Sequence, residues 1–393
     1  MPAHLRMIFE GQVKSPNLGL YLHIPFCRTR CRFCAFYLHE HDEKEVVQFL
    51  HALHLEIEVY AKEIDLQALP IDTIYFGGGT PTSLTDAQLI EVLDHIGQAF
   101  SLQSQIEISL EAHPNTINYS SLNHIRKTGF NRLSIGVQSF EPTELDRLGG
   151  EVEKLRLDEM FREVQHAGFA NINVDLIYGL PRQTRESWEN SLCQTLDQAP
   201  QHLSCYALTV EEGTRFKADQ RLGMLGEPTS EETENFECLA RSILQQAGFE
   251  HYEISNFSQP GFSCQHNRRY WEGKAYLGLG PSAQSFVHAT HFGNETSLEW
   301  YNQELNKGRL PLRDIKPLTL EQVARESLVF GLRLVHGVSL DQISPCLQDT
   351  SLWKVTMPYL ISENLLVWSN DRVLLTEKGR RLSDSVAESL MHA

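Results

Sequence analysis

Six short apolar runs punctuate the first 208 residues of this 393-residue chain, and amphipathic helical patterns separate them. The runs at Leu20–His23, Thr73–Phe76, Ile106–Leu110, Arg132–Val137, Asn171–Ile177 and Leu203–Leu208 read as strands. Over Glu43–Glu63, Val47, Leu50, Leu53, Ile57 and Tyr60 recur at helical spacing. A second helix is predicted over Asp86–Ala99, with Thr85 as its N-cap. Strand and helix in alternation mean right-handed βαβ units and a parallel sheet. Six strands are too few for an eight-stranded barrel. An open, partial (β/α)6 barrel fits, and periodicity alone leaves a flat doubly wound sheet as the other solution.

Polar and glycine residues cluster where these strands end. Cys27 follows the first, Gly77–Thr80 the second, Glu111 the third and Gln138 the fourth, while Asp175 lies near the end of the fifth. In parallel barrels the C-terminal strand ends carry the chemistry, so these residues are expected at one mouth. After about Phe286 the pattern becomes helix-rich, with short strands at Leu365–Trp368 and Arg372–Leu375 and a helix capped by Thr376. That part reads as a small winged-helix-like domain. The expected division is an extension over 1–19, the barrel over 20–286 and the helix-rich domain over 287–393.

The net charge of -17 argues against nucleic acid as a partner, because phosphate binding needs a basic field. Arg28, Arg30 and Arg32 form a local basic cluster that suits a small anion. No uninterrupted apolar run of about 18 residues suggests a membrane span, and the N-terminus lacks a secretory pattern, so a cytoplasmic protein is expected. In such a chain the eight cysteines do not imply a disulfide framework; Cys193, Cys205, Cys238 and Cys346 read as small buried hydrophobes.

Cys27, Cys31 and Cys34 are different. Three thiols within eight residues have the spacing of a zinc or iron–sulfur site. Structural zinc wants a fourth ligand, for which His39 and His41 are the nearest candidates. A [4Fe–4S] cluster on three cysteines instead leaves one iron open to a substrate or cofactor.

Cys27-x3-Cys31-x2-Cys34, with Phe33 before the last cysteine, resembles the signature of the radical S-adenosylmethionine (radical SAM) family. The resemblance implies that the open iron chelates the methionine end of SAM and that one electron cleaves the sulfonium C–S bond. "YFGGGTPT" (Tyr75–Thr82) resembles the family segment that meets the methionine amino group. "RLSIGVQSF" (Arg132–Phe140), "VDLIYGLPRQT" (Val174–Thr184), "YALTVEEGT" (Tyr206–Thr214) and "YLGLGPSAQSF" (Tyr276–Phe286) are similar to segments of the oxygen-independent coproporphyrinogen oxidase subfamily. By that resemblance Tyr21, Phe33, Gly77, Gly78, Gly79, Thr80, Glu111, Gln138, Asp175, Ala207 and Gln284 are the expected SAM-binding positions. Each polar one also reads as a structural hydrogen-bonding residue at a strand end.

Within the subfamily the chain looks most similar to the HemW heme chaperones. Phe36 stands where the oxidase has a fourth cysteine, and only twenty residues precede Tyr21. His266-Asn267-x-x-Tyr270-Trp271 resembles the HNxxYW motif associated with heme binding, which implies heme as a ligand, His266 near its iron and Cys264 as the alternative ligand. A purely structural role is the other reading of His266. Three positions depart from the pattern: Ala35 in place of Asp, Gly149-Gly150 where an arginine is usual, and Gln284 where a histidine is common. The implied function is heme binding and delivery to hemoproteins, with a hemoprotein acceptor or a membrane-associated heme donor as partner, and with reductive SAM cleavage. The rivals are a class C radical SAM methyltransferase or cyclopropanase that binds two SAM molecules, a coproporphyrinogen III dehydrogenase, and a heme carrier whose cluster only senses redox state.

Overall fold

A computed structural model describes residues 16–62, 69–149, 154–339, 341, 347 and 350–392. Cys346 and Gly150 lie outside the described residues.

The six expected strands form in order: β1 (Leu18–Ile24), β2 (Ile71–Gly78), β3 (Leu102–Ala112), β4 (Arg132–Gln138), β5 (Ile172–Tyr178) and β6 (His202–Ala207). Each pairs in parallel with the next. Their interiors are near-continuous apolar runs because helices cover the sheet; Leu20, Leu22, Ile74, Phe76, Leu110, Leu133, Val174 and Leu176 are fully buried. The crossover helices are α1 (Glu43–Ala61), α2 (Asp86–Ala99), α3 (Tyr119–Lys127), α4 (Pro142–Leu148) with α5 (Lys154–His166), and α6 (Arg185–Asp197). Helix α1 buries Val46, Phe49, Leu50, Leu53, Ile57 and Tyr60, a stripe at helical spacing. The periodicity places Val47 on that stripe, but it faces solvent at 62% exposure, and Phe49 takes the core position. Thr85 caps α2 through a reciprocal box with Gln88, a device worth about 1 kcal/mol.

The sheet is wider than the expected six strands. After α7 (Arg215–Arg221) and α8 (Ser230–Gln246), β7 (Glu250–Glu253) and β8 (Asn256–Ser258) add an antiparallel edge beside β6. Helix α9 (Gln265–Trp271) then leads to β9 (Tyr276–Leu279), which pairs in parallel with β1 on the other side. From there β10 (Gln284–Val287), β11 (Thr290–Asn294) and β12 (Leu312–Pro317) continue antiparallel, with α10 (Leu298–Asn306) between the last two. The order among the described residues is β12-β11-β10-β9-β1-β2-β3-β4-β5-β6-β8-β7. This open, curved arrangement is the expected partial barrel with antiparallel extensions. The sheet runs on to Pro317, so the change of pattern at 286–287 falls inside it.

Glu56 of α1 ties that extension down. Fully buried, it accepts from the Gly280 N–H (2.8 Å), Asn294 Nδ2 (2.5 Å) and the Tyr301 hydroxyl (2.5 Å). Burial pushes its carboxyl up to about 7.

Helix α11 (Leu320–Gly331) opens the helix-rich C-terminal part. A three-stranded antiparallel sheet follows, from β13 (Val338–Ser339), β14 (Leu366–Ser369) and β15 (Arg372–Leu375), with β15 central. Thr376 caps the helix after β15 by accepting from the Gly379 N–H at 2.9 Å. This strand pair with following helices is the expected winged-helix-like unit, built on its own core of Leu328, Leu352, Leu360, Val373 and Leu390. Among the described residues no helix is long and apolar enough to cross a membrane.

Candidate functional site

The strand ends meet at one cavity of about 440 Å³. Its wall begins at the cysteine loop. After β1, Phe26 and Cys27 pair with His39 and Glu40, closing the segment between them into a loop. Cys27, Cys31 and Cys34 all line the cavity. Burial pushes all three thiols up, Cys31 to about 11. Iron binding to them therefore displaces protons.

The glycine segment after β2 is bonded to this loop. Gly79 donates its N–H to Ile24 O at 2.8 Å and Thr80 donates to Phe26 O at 2.9 Å. The Thr80 hydroxyl is 3.3 Å from Cys27 Sγ. A Cβ on Gly79 would lie 2.8 Å from Phe26 O and 3.1 Å from Cys27 Sγ, so only glycine permits this approach. Gly78 sits at φ 111° against the His23 ring. Gly77 and Tyr21 stand one layer behind the lining: Tyr21 stacks on Tyr75 with ring centroids 6.2 Å apart, and a Cβ on Gly77 would meet both rings.

The remaining wall comes from later strands. Glu111, near the end of β3, accepts from Tyr75 OH (2.8 Å) and the Gly78 N–H (3.2 Å). Burial and the neighbouring Asp175 raise its carboxyl to about 7, against those two hydrogen bonds. Gln138 ends β4 at a bulge and adopts φ 68°, a left-handed conformation costing on the order of 1 kcal/mol outside glycine. Asp175 of β5 accepts from Ser134 Oγ (3.2 Å) and Asn173 Nδ2 (2.8 Å), and burial raises it too. Phe33 and Ala207 complete the expected set in the lining.

Two residues expected at cofactors, Gln284 and His266, do not line the large cavity. Gln284 projects from β10 to solvent, donates to Ser282 O at 3.3 Å and does not line the cavity. Strand β10 is the second strand from β1, in the antiparallel extension of the sheet. His266 is 1% exposed and both its ring nitrogens are engaged, Nδ1 with Thr73 Oγ1 (2.9 Å) and Nε2 with Tyr270 OH (2.8 Å). Burial lowers its pKa to about 3, which keeps the ring neutral. Cys264 is equally buried beside Glu107, its thiol pushed up to about 12.

The HNxxYW segment is thus shared between two cavities. Asn267 lines the large one. Tyr270 and Trp271 line a second, apolar one of about 210 Å³, with Tyr276, Phe286, His291 and Phe330. His291 Nε2 there meets Glu326 at 2.7 Å.

Sequence reasoning missed Arg132. It is 1% exposed and lines the large cavity, and its Nε and one terminal nitrogen have no hydrogen-bond partner. A charged residue inside an apolar strand is the signal that pointed to it.

The three thiols share a cavity without converging on one point: among the described residues no three His, Cys, Asp or Glu side chains are placed to hold a single ion. His39 Nε2 meets Tyr37 OH (2.7 Å) and His41 Nε2 meets Glu43 (3.3 Å), while His41 Nδ1 is buried without a hydrogen-bond partner. Structural zinc takes four ligands on one ion, whereas a multi-iron cluster takes one thiolate per iron.

Comparison with known proteins decides the family. The chain matches the Radical SAM superfamily over residues 21–192 and the HemN C-terminal domain over residues 318–382. It is 35% identical to the heme chaperone HemW of Synechocystis sp. over 349 residues, 85% of this chain and 82% of that protein. The chain belongs to the HemW heme chaperone family. HemW of Mycobacterium tuberculosis is 32% identical over 397 residues, covering 98% of this chain and all of that protein. Among solved structures, the Escherichia coli coproporphyrinogen III oxidase HemN, a radical SAM enzyme, superposes with a TM-score of 0.83 at 25% identity, over 96% of this chain and 90% of that one. The radical SAM domain shared with HemW implies a [4Fe–4S] cluster and SAM, and the cysteine-lined cavity fits both.

Proposed function

We propose that this chain binds heme and delivers it to a hemoprotein, using a radical SAM core for the purpose. The observation that carries the reading is the convergence of Cys27, Cys31, Cys34, the glycine segment and Glu111 on one cavity, in a chain of the HemW family. The three thiolates hold the cluster. When bound, the cluster supplies the electron for reductive cleavage of the SAM sulfonium. Gly78, Gly79 and Thr80 present backbone to the methionine end, with Gly77 and Tyr21 supporting them from behind. Phe33, Gln138 and Ala207 shape the space around SAM. Glu111 and Asp175 place two carboxyls near a ligand carrying an ammonium and a sulfonium. Arg132 is the one guanidinium among the described lining residues.

Heme is placed against Tyr270 and Trp271. Their cavity is too small for a whole porphyrin and suits one apolar edge, held by aromatic rings. The acceptor is a hemoprotein, and the helix-rich region beyond the barrel contributes to its recognition. Cluster chemistry suits a reducing compartment, and we place the protein in the cytoplasm.

The test is anaerobic reconstitution with iron and sulfide, then heme titration, a SAM cleavage assay and transfer of bound heme to an apo-hemoprotein. One heme per chain, passed on to the acceptor, supports the reading. A methylated product with no retained heme would replace it by the methyltransferase.

A further inference from the structure

A buried guanidinium lies at the floor of the large cavity. Arg132 opens β4, in register with Ser109 of β3 and, through it, with Tyr75 of β2. Gln138 ends the same strand at the mouth, roughly 20 Å away along it. Below the level of Arg132 the barrel is closed by α9, which crosses the starts of β2 and β3. His266 Nδ1 meets Thr73 Oγ1 at 2.9 Å, and the N–H groups of Gln265 and His266 donate to Glu107, each at 3.1 Å. Asn267, the next residue of α9, lines the cavity together with Arg132.

Three polar atoms at this floor are unanswered. Arg132 Nε and one of its terminal nitrogens are buried without a hydrogen-bond partner among the described residues, and so is the hydroxyl of the fully buried Ser109 beside it. The neighbouring acids are turned to other groups. Glu107 holds the start of α9. Glu111 accepts from Tyr75 OH and the Gly78 N–H, and Asp175 accepts from Ser134 and Asn173. Burial raises both Glu111 and Asp175, which weakens them as counter-charges. A charge removed from water is costly unless it is paired and hydrogen-bonded. Arg132 is therefore placed for an anion that enters from outside.

Charge and shape narrow what that anion is. A single guanidinium with carboxyls on adjacent strands matches one negative charge and disfavours a phosphate dianion. Asn267 offers an amide donor and Ser109 a hydroxyl, which suit the oxygens of a carboxylate. Above the floor, Ile177 and Leu208 give the cavity an apolar wall. The carboxylate of SAM belongs to its methionine end, at the cysteines and the glycine segment by the mouth.

We propose that Arg132, with Ser109 and Asn267, forms a subsite for an organic carboxylate on an apolar body, so that the molecule sharing the cavity with SAM is anchored from below by its carboxylate. Arg132 then decides which molecules are held facing SAM. The inference rests on the reading above that SAM occupies the mouth of this cavity.

The test uses the reconstituted, SAM-loaded holoprotein and hydrocinnamate, a carboxylate on a phenyl-tipped chain, with the uncharged hydrocinnamide as control. Binding is measured by calorimetry. The wild type is expected to bind the acid about tenfold more tightly than the amide, the scale of a charge-assisted hydrogen bond. Arg132→Met should remove that preference and Arg132→Lys should keep part of it. Should both fail to fold, Asn267→Leu is expected to weaken hydrocinnamate severalfold. Heme and heme dimethyl ester then serve as competitors. Displacement by heme alone gives a heme propionate as the natural carboxylate, displacement by neither gives a separate carboxylic acid, and both support the subsite. Equal affinity for acid and amide in the wild type, or the same preference in Arg132→Met, would overturn the proposal and leave the floor to water. Joint loss of SAM and hydrocinnamate from Arg132→Met would also overturn it, by giving Arg132 to the carboxylate of SAM. A wild type that prefers the acid yet takes up no SAM would instead fail the SAM reading and leave the subsite standing.

Discussion

The backbone N–H of Gly78 points at the carboxylate of Glu111, 3.2 Å away, and joins the glycine segment after β2 to the end of β3. The same carboxylate accepts from Tyr75 OH, so one side chain fixes two strand ends at the cavity. Burial raises Glu111 to about 7 and leaves it half-ionised near neutrality when the cavity is empty. A cationic ligand favours the ionised form. SAM affinity should therefore rise as pH increases from 6 to 8. Glu111→Gln should flatten that profile and weaken binding by about 1–3 kcal/mol. Isothermal titration across this range checks both, and an unchanged profile in the variant would remove Glu111 from the SAM site.

Stability should move the opposite way with pH. Glu56, Glu111 and Glu253 each have a folded pKa raised to about 7, chiefly by burial. The folded protein then binds more protons than the unfolded chain between about 4.5 and 7. The stability this contributes is complete at the low end and lost as pH rises through 7. The melting temperature of the ligand-free protein should fall between pH 6 and 8. Glu56→Gln, uncharged throughout, should reduce that fall, and an identical slope would show that Glu56 does not titrate there.

Much of the site was legible in the sequence because it sits on strand ends. The expected strand Arg132–Val137 and helix Asp86–Ala99 match their observed bounds to within a residue, since strong periodicity and the Thr85 cap define them. The edge strands β7, β8, β11 and β12 were not legible. They are three to six residues long and several are polar, and neighbouring strands rather than their own pattern make them strands. The resemblance implies SAM for Gln284, whereas the fold leaves its side chain exposed and outside the cavity lining. The motif resemblance implies heme near His266, and the fold sets its ring between Thr73 and Tyr270. Short motifs name residues and leave their orientation to the packing.

The two hydrogen bonds of His266 predict a contribution to stability. His266→Ala should leave Thr73 and Tyr270 without their partner and cost about 1–3 kcal/mol in denaturant unfolding. The Soret band of bound heme should be unchanged in the folded variant. A lost or shifted band at full SAM affinity would return the histidine to the heme.

The aromatic cavity carries the complementary expectation. Trp271 stacks under the Arg333 guanidinium, 4.5 Å from its ring centroid, and walls the cavity with Tyr270. Trp271→Ala should weaken heme binding about tenfold, the scale of a lost aromatic contact, while SAM binding is retained. Equal heme affinity in the two proteins would place the porphyrin elsewhere.

The most direct test of the whole account is the metal content of the cysteine loop. Wild type and the Cys27→Ala/Cys31→Ala/Cys34→Ala variant are reconstituted anaerobically, and iron, sulfide and bound SAM are counted per chain. The wild type should hold about four irons and four sulfides with SAM bound, and the variant close to none with SAM affinity lost. A triple variant that keeps its iron, its sulfide and its SAM would contradict the account.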